Sequence, residues 1–428
     1  MIVRYEVWGA WVKIDAALVA LERDGVRALG LAGSALWDEP APRPSAPLEV
    51  HVAVTSRCAA GCEGCYLDAR PDGIEPPRDE IVARLRALAA AGVFTVAFGG
   101  GEPTLRDDLG ALADEARALG LTPVVTTSGL GLGERKLAQL RRFAQVNVSY
   151  DGAGVDYAAV RGFDASRAAE DAIARLAAAG VAVGVNVVLT RATFDHVAAT
   201  LERARALGAT EAQLLRYKPA GRATGLDYLT RRLSPAQVRA FPARLRELSA
   251  SLAGAMRLRI DCALVPFLSA DADLAARPEE LARWGVLGCE AGAALAATRV
   301  DGALAPCSFA EPTRLDATDI VGPRWADDPV LATFRDYPRA APEPCASCTL
   351  REVCRGGCKV VTRHLTTAMG PDPECPRVTA RHEAPATPQT PATPETPATP
   401  ETPQPSATPQ TPATLASASR DESVTDRT

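Results

Sequence analysis

Cysteine is the residue with the most chemistry in this chain of 428 residues, which carries eleven of them. Three stand together as Cys58-Ala-Ala-Gly-Cys62-Glu-Gly-Cys65, a C-x3-C-x2-C spacing with Tyr66 next. Three thiolates can hold three irons of a cubane 4Fe–4S cluster, whereas a closed cluster takes four sulfur ligands, so one iron is left open to a substrate. A zinc knuckle that borrows a distant fourth ligand fits the same spacing. The other eight cysteines follow Pro219: Cys262, Cys289, Cys307, Cys345, Cys348, Cys354, Cys358 and Cys375. From Cys289 onward they read C-x12-G-x4-C, then C-x2-C-x5-C-x3-C, then a final C; taken alone, the paired cysteines also suit two structural zinc sites. An isolated Cys262 among Ile260, Ala263, Leu264 and Val265 reads equally as a ligand or as a buried thiol on an apolar strand. The four histidines, His51, His196, His364 and His382, show no zinc-enzyme spacing, so the metal sites are expected to be all sulfur or nearly so.

The surroundings of these thiols narrow the reading. Met1–Glu6 lacks the basic segment and apolar run of a signal peptide, and no stretch stays apolar for the ~20 residues of a membrane span, so the expectation is a cytoplasmic protein with no membrane partner. Thiol buffers there keep disulfides open, which leaves metal ligation as the use for the cysteines. The formal charge of −5 comes without a basic block and gives no reason to expect a nucleic-acid partner.

These residues must be positioned by an α/β framework. β-prone runs at Leu48–Val54, Val93–Phe98, Thr122–Thr126, Val146–Ser149, Val181–Leu189 and Ala212–Tyr217 alternate with Ala/Leu/Arg-rich helical stretches. Gly92, Gly120, Gly180 and Gly208 punctuate the helix ends. Six βα units predict a parallel sheet curled into a partial (β/α)6 TIM-like barrel, with its site at the C-terminal ends of the strands. Residues 1–47 read as a β-rich lead-in, β-prone at Met1–Ile14 and Ala28–Leu31, with a Pro-rich linker. Residues 48–253 read as the barrel and a bridging helix that starts at Ser234-Pro235. A small cysteine-rich domain over 254–382 follows, with a hairpin at Thr298–Leu304 turning on Asp301-Gly302. Residues 383–428 repeat Ala-Thr-Pro-Glu/Gln-Thr-Pro and predict a disordered tail.

Phe98-Gly99-Gly100-Gly101-Glu102-Pro103 ends the second strand. Gly100 and Gly101 would let the backbone approach a ligand, and Glu102 or nearby carbonyls would accept hydrogen bonds from a cationic amino group. With C-x3-C-x2-C and an aromatic residue after strand one, this resembles the radical S-adenosylmethionine (SAM) superfamily. The resemblance implies a SAM-cleaving 4Fe–4S cluster on Cys58, Cys62 and Cys65, and a SAM amino group bound near Gly100, Gly101, Glu102 and Pro103. Ser149-Tyr150-Asp151-Gly152 and Arg161 resemble the family's later pieces, with Ser149 and Arg161 toward the SAM carboxylate. Thr127, Ser128 and Gly129, Asn186 and Leu215 stand where the family lines its pocket.

The later array resembles the seven-cysteine SPASM domain, which implies two auxiliary clusters and three 4Fe–4S clusters in all. By the resemblance, Cys289, Cys307 and Cys358 hold the inner auxiliary cluster, with Cys262 as its possible fourth ligand, and Cys345, Cys348, Cys354 and Cys375 hold the outer one. It also implies a ferredoxin- or flavodoxin-type reductant and a peptide or protein substrate that is cross-linked or oxidised. The alternatives are radical oxidation of a small molecule and a cluster protein without turnover. Fewer than fifty residues precede Leu48, which looks too short for a complete winged-helix leader-binding domain. Tyr217, Lys218 and Asp261 fall near the expected mouth without a defined role.

Overall fold

Val- and Thr-rich runs with alternating exposure become strands, and the Ala/Leu/Arg stretches between them become helices that cover one face. The computed structural model describes residues 1–383 apart from Ala16, residues 40–44 and Asp227. The predicted tail and part of the Pro-rich linker lie outside the described residues. At the N-terminus, β1 (Ile2–Glu6), β2 (Gly9–Ile14) and β3 (Ala17–Glu22) form an antiparallel sheet, followed by α1 (Arg23–Ala28). The β-prone reading of Ala28–Leu31 is corrected: α1 ends at Ala28, and Leu29 and Gly30 turn, with Gly30 at positive φ, while Val26 anchors the helix on Ala10, Val12 and Trp37.

The βα repeat runs β4 (Glu49–Thr55), α2 (Arg78–Ala90), β5 (Thr95–Gly100), α3 (Leu109–Ala118), β6 (Thr122–Thr127), α4 (Glu134–Leu140) and β7 (Gln145–Ser149). It continues with α5 (Val155–Arg161), α6 (Ser166–Ala178), β8 (Val183–Leu189), α7 (Val197–Ala206) and β9 (Glu211–Arg216). Short α8 (Tyr228–Arg231) precedes α9 (Pro235–Ser251), whose Ser234 and Gln237 close a reciprocal capping box. Three more strands come from the region expected to stand apart: β10 (Arg257–Ile260), β11 (Leu295–Thr298) and β12 (Leu304–Ala305). β10 pairs parallel with β9, and β11 pairs parallel with β4 while making the expected hairpin with β12. Among the described residues this gives one sheet in the order β10-β9-β8-β7-β6-β5-β4-β11-β12. The six predicted strands are thus extended at both margins, and Met1–Ala384 form a single compact unit.

The sheet curls. Burial raises the Glu49 carboxyl on β4, but the hydrogen bond and charge of His51 and the charge of Arg259 lower it overall. Lys218, just past β9, lies over the ring of Phe309, just past β12, so the two margins approach each other. Val50, Val52, Val54, Val146 and Val148 are fully buried beneath the helices. Their alternates Glu49, His51, Ala53, Gln145, Asn147 and Ser149 face inward and are only partly buried.

Candidate functional site

The loop after β4 carries Cys58, Cys62 and Cys65, all partly buried. Its backbone is held by the Cys58 N–H donating to Arg70 O (2.8 Å) and the Cys65 N–H to Cys62 O (3.3 Å). Burial raises the Cys58 thiol, a hydrogen bond from the Ala60 backbone opposes it, and the charges of Glu102, Cys62 and Cys65 raise it further. The three thiols and Glu102 are therefore neighbours. Sequence reasoning missed the residue that fastens this loop. Arg222, just past β9, donates through Nη2 to Cys62 O (2.9 Å) and through Nη1 to Ala69 O (2.8 Å) and Asp68 Oδ1 (2.9 Å), while its N–H reaches Cys65 O (2.9 Å). The only sequence signal is that Pro219-Ala-Gly-Arg222 ends the last predicted strand.

The glycine run lies against the cysteine loop. A Cβ on Gly100 would lie 2.1 Å from Thr55 O, and one on Gly101 2.1 Å from Arg57 O. These glycines let β5 close on the root of the cysteine loop, where the Gly101 and Glu102 N–H groups donate to the same two carbonyls (2.7 and 2.8 Å). The Glu102 carboxylate is buried and accepts five hydrogen bonds. Thr104 N–H and Oγ1 and Thr127 Oγ1 reach Oε1 (3.1, 2.7 and 2.7 Å), while Ser128 N–H and Oγ reach Oε2 (2.8 and 2.6 Å). With its lone-pair sites taken, the carboxylate ties the turn that starts at Pro103 to the end of β6. Of the acceptors proposed for an amino group, the backbone carbonyls of this turn are then the better placed.

Asp151, fully buried, accepts from Arg161 Nε (2.6 Å) and from the Val188 N–H (2.7 Å), so β7, β8 and the end of α5 converge. Burial opposes charge on Arg161, but Asp151 and Cys62 outweigh it and hold the guanidinium protonated. Arg161 O accepts from the Glu63 N–H (3.1 Å), which brings this group to the cysteine loop. Ser149, Asn186 and Leu215 are alternate, partly buried residues on β7, β8 and β9, and Asn186 Oδ1 is a buried acceptor without a protein partner. An orphaned buried acceptor suits a polar ligand there. Tyr66 packs on Phe309 at 4.7 Å between ring centroids, with the rings tilted, and burial, then Cys65, push its hydroxyl up to about 12 against the pull of Arg299. Lys218 lies on the same Phe309 ring at 4.5 Å and pairs with Asp261; both are buried, while Tyr217 packs beside Gly64 of the cysteine loop.

The remaining cysteines fall into two groups of four. Burial pushes Cys289 up to about 12, followed by the charges of Cys307 and Cys358. Cys262 is raised by burial, with Asp261, Cys289 and Cys358 adding to it and Lys218 opposing. Cys262 is not on a strand as expected: β10 ends at Ile260, and the chain turns before a 3-10 helix at Val265–Ala270. The turn delivers it to the inner group, because Arg216 Nη1 donates both to Ala263 O (3.0 Å) and to Asp372 Oδ2 (2.6 Å), which accepts from the Cys358 N–H (3.0 Å). Cys345, Cys348, Cys354 and Cys375 line one cavity. Among the described residues, no three Cys, His, Asp or Glu side chains converge at single-ion distances. Thiols spread around a cavity fit a polyatomic iron–sulfur group.

Residues 52–204 match the Radical SAM superfamily model. The chain is 28% identical over 353 residues to the PqqA peptide cyclase of Granulibacter bethesdensis, spanning 78% of this chain and 89% of that protein. It is 29% identical over 347 residues to the mycofactocin maturase MftC of Mycobacterium ulcerans, spanning 77% and 88%. Among solved structures, Streptococcus suis SuiB bound to precursor peptide SuiA has the same fold, with a TM-score of 0.67, 16% identity and coverage of 87% of this chain and 98% of SuiB. No described helix is long and apolar enough to cross a membrane. The cysteine loop, the Gly-Glu turn and the match all fall on the same strands, and the chain is a radical SAM superfamily enzyme with a SPASM-type cysteine array in its C-terminal half.

Proposed function

We propose that this enzyme is a peptide maturase that oxidatively modifies or cross-links a ribosomally made peptide, as the names of its relatives suggest. Cys58, Cys62 and Cys65 hold the first 4Fe–4S cluster. Cys262, Cys289, Cys307 and Cys358 hold the inner auxiliary cluster, and Cys345, Cys348, Cys354 and Cys375 hold the outer one. When bound, the first cluster and SAM supply a 5′-deoxyadenosyl radical, the cofactor's own chemistry. The chain's part is to position and shield. Arg161, held charged by Asp151, faces the SAM carboxylate as a fork that matches it. The carbonyls of Gly100–Pro103 take the amino group, and Ser128, Ser149, Asn186 and Leu215 complete the pocket. Residues 48–253 form the radical-generating part and 254–382 the auxiliary part. A ferredoxin- or flavodoxin-type donor supplies electrons, and a reduced, cytoplasmic setting keeps the thiols free for iron.

What supports this reading is that the cysteine loop after β4, the Glu102 turn after β5 and the Arg161–Asp151 pair after β7 meet at one end of the sheet. The test is anaerobic incubation of the full, iron-loaded chain with SAM, dithionite and the short peptide encoded beside its gene. The expected result is 5′-deoxyadenosine together with a peptide that has lost hydrogens by mass spectrometry. Formation of 5′-deoxyadenosine with the peptide unchanged, and with a small alcohol oxidised instead, would replace the peptide reading by a small-molecule one.

A further inference from the structure

One side chain from the auxiliary half of the molecule reaches the first thiol loop. Phe309 follows the β11–β12 hairpin, two residues after Cys307. The Tyr66 ring, next to Cys65 on the loop after β4, lies 4.7 Å from it between centroids, at an interplanar angle of 36°. Lys218 Nζ, past the end of β9, lies 4.5 Å from the same Phe309 centroid. In the sheet β9 and β4 are separated by β8, β7, β6 and β5, so residues from both reach one ring only because the sheet curls.

The segment that carries this ring is fixed. The Ala310 N–H donates to Cys307 O (3.2 Å), which closes the turn around Phe309. Arg299 donates to the carbonyls on either side of it, Ser308 O (3.0 Å) and Ala310 O. Ser308 Oγ lies 2.6 Å from Nδ1 of His51 on β4. Among the described residues, Phe309 and Tyr66 are only partly buried and belong to none of the hydrophobic cores. Two aromatic rings held together outside the core and beside a thiol loop are explained better by a ligand than by packing.

Given the SAM pocket proposed above, on which this inference rests, we propose that Phe309 is a positioning residue for SAM. It seats the Tyr66 ring beside the cofactor, so that the pocket is completed from the auxiliary half of the chain. Tyr66 follows Cys65 directly, and its ring borders what the open iron of that loop holds. A tyrosine free to turn must be immobilised when its ligand arrives, whereas a ring already seated has lost that freedom beforehand. Phe309 therefore acts through Tyr66.

SAM binding to the full, iron-loaded chain, measured anaerobically by equilibrium dialysis, tests this without any peptide. The change that SAM induces in the electron paramagnetic resonance spectrum of the reduced first cluster is the second readout. Phe309→Leu is expected to weaken SAM binding about three- to tenfold and to shift the spectral change to higher SAM concentration, with total iron unchanged. Phe309→Tyr restores both. Phe309→Met, which refills the volume without a ring, is the second variant if the leucine leaves the chain short of iron, and a loss in the same direction is expected. In a Tyr66→Ala background, Phe309→Leu costs nothing further. Equal SAM affinity in wild type and both variants, or the same loss in both backgrounds, overturns the role of Phe309 alone. A wild-type chain that binds no SAM overturns the pocket reading and this role with it.

Discussion

Glu102 concentrates five donors on one buried carboxylate, and that count predicts how it fails. In Glu102→Gln the amide nitrogen must face either the Ser128 N–H and hydroxyl or the Thr104 and Thr127 donors, leaving buried donors opposed. A loss on the order of 1–3 kcal/mol is expected, read by denaturant unfolding, together with weaker SAM binding by calorimetry. An unchanged midpoint would show that water or rotation relieves the clash. Arg222→Lys keeps the charge and loses the fork across Cys62 O, Ala69 O and Asp68. At least a tenfold fall in SAM cleavage is expected, with the auxiliary iron retained by elemental analysis. The cysteines and the Gly-Glu turn were legible in the sequence because their spacing is local. Arg222 was not, because its partners lie about 150 residues away and meet it only when the sheet curls.

Strands and helices were legible wherever period and punctuation agreed, as in the six βα units. They were misread where tertiary burial decided: Ala28–Leu31 is the end of α1 and the turn after it, with Val26 buried one turn before, and the turn at Asp261–Leu264 breaks what reads as an apolar strand. β10 and β11 have four residues each, too short for alternation to declare which sheet they would join. Capping was read correctly at Ser234, whose replacement by Ala is expected to cost about 1 kcal/mol by thermal unfolding. Between α6 and α7, the hydrogen bond from Arg203 and that from Tyr150 hold the Glu170 carboxyl below its usual range against the effect of burial. A lowered carboxylate stabilises above its unfolded value, about pH 4.3, and that stability disappears as the pH falls through the folded value. Glu170→Gln should therefore lower the unfolding temperature at neutral pH, and the gap to wild type should close as the solution is acidified below pH ~4. A gap of constant size would assign the effect to packing.

For the whole molecule, the checkable quantity is iron. Anaerobically loaded chain should hold about twelve irons, and Cys375→Ser or Cys262→Ser about eight to twelve with an altered auxiliary spectrum. A total near four would remove the auxiliary pair. The sequence divided the chain into a barrel and a following domain, whereas the fold threads the later region onto both margins of the barrel sheet: β10 beside β9, β11 beside β4. Arg216, on the last barrel strand, is further bound by Asp372 and Glu374 next to Cys375. Air exposure that strips the outer thiols of iron would then do more than interrupt electron flow. With the strap across the rim slackened, damaged molecules should open, expose apolar strand edges and precipitate, so that oxygen sensitivity registers first as lost solubility.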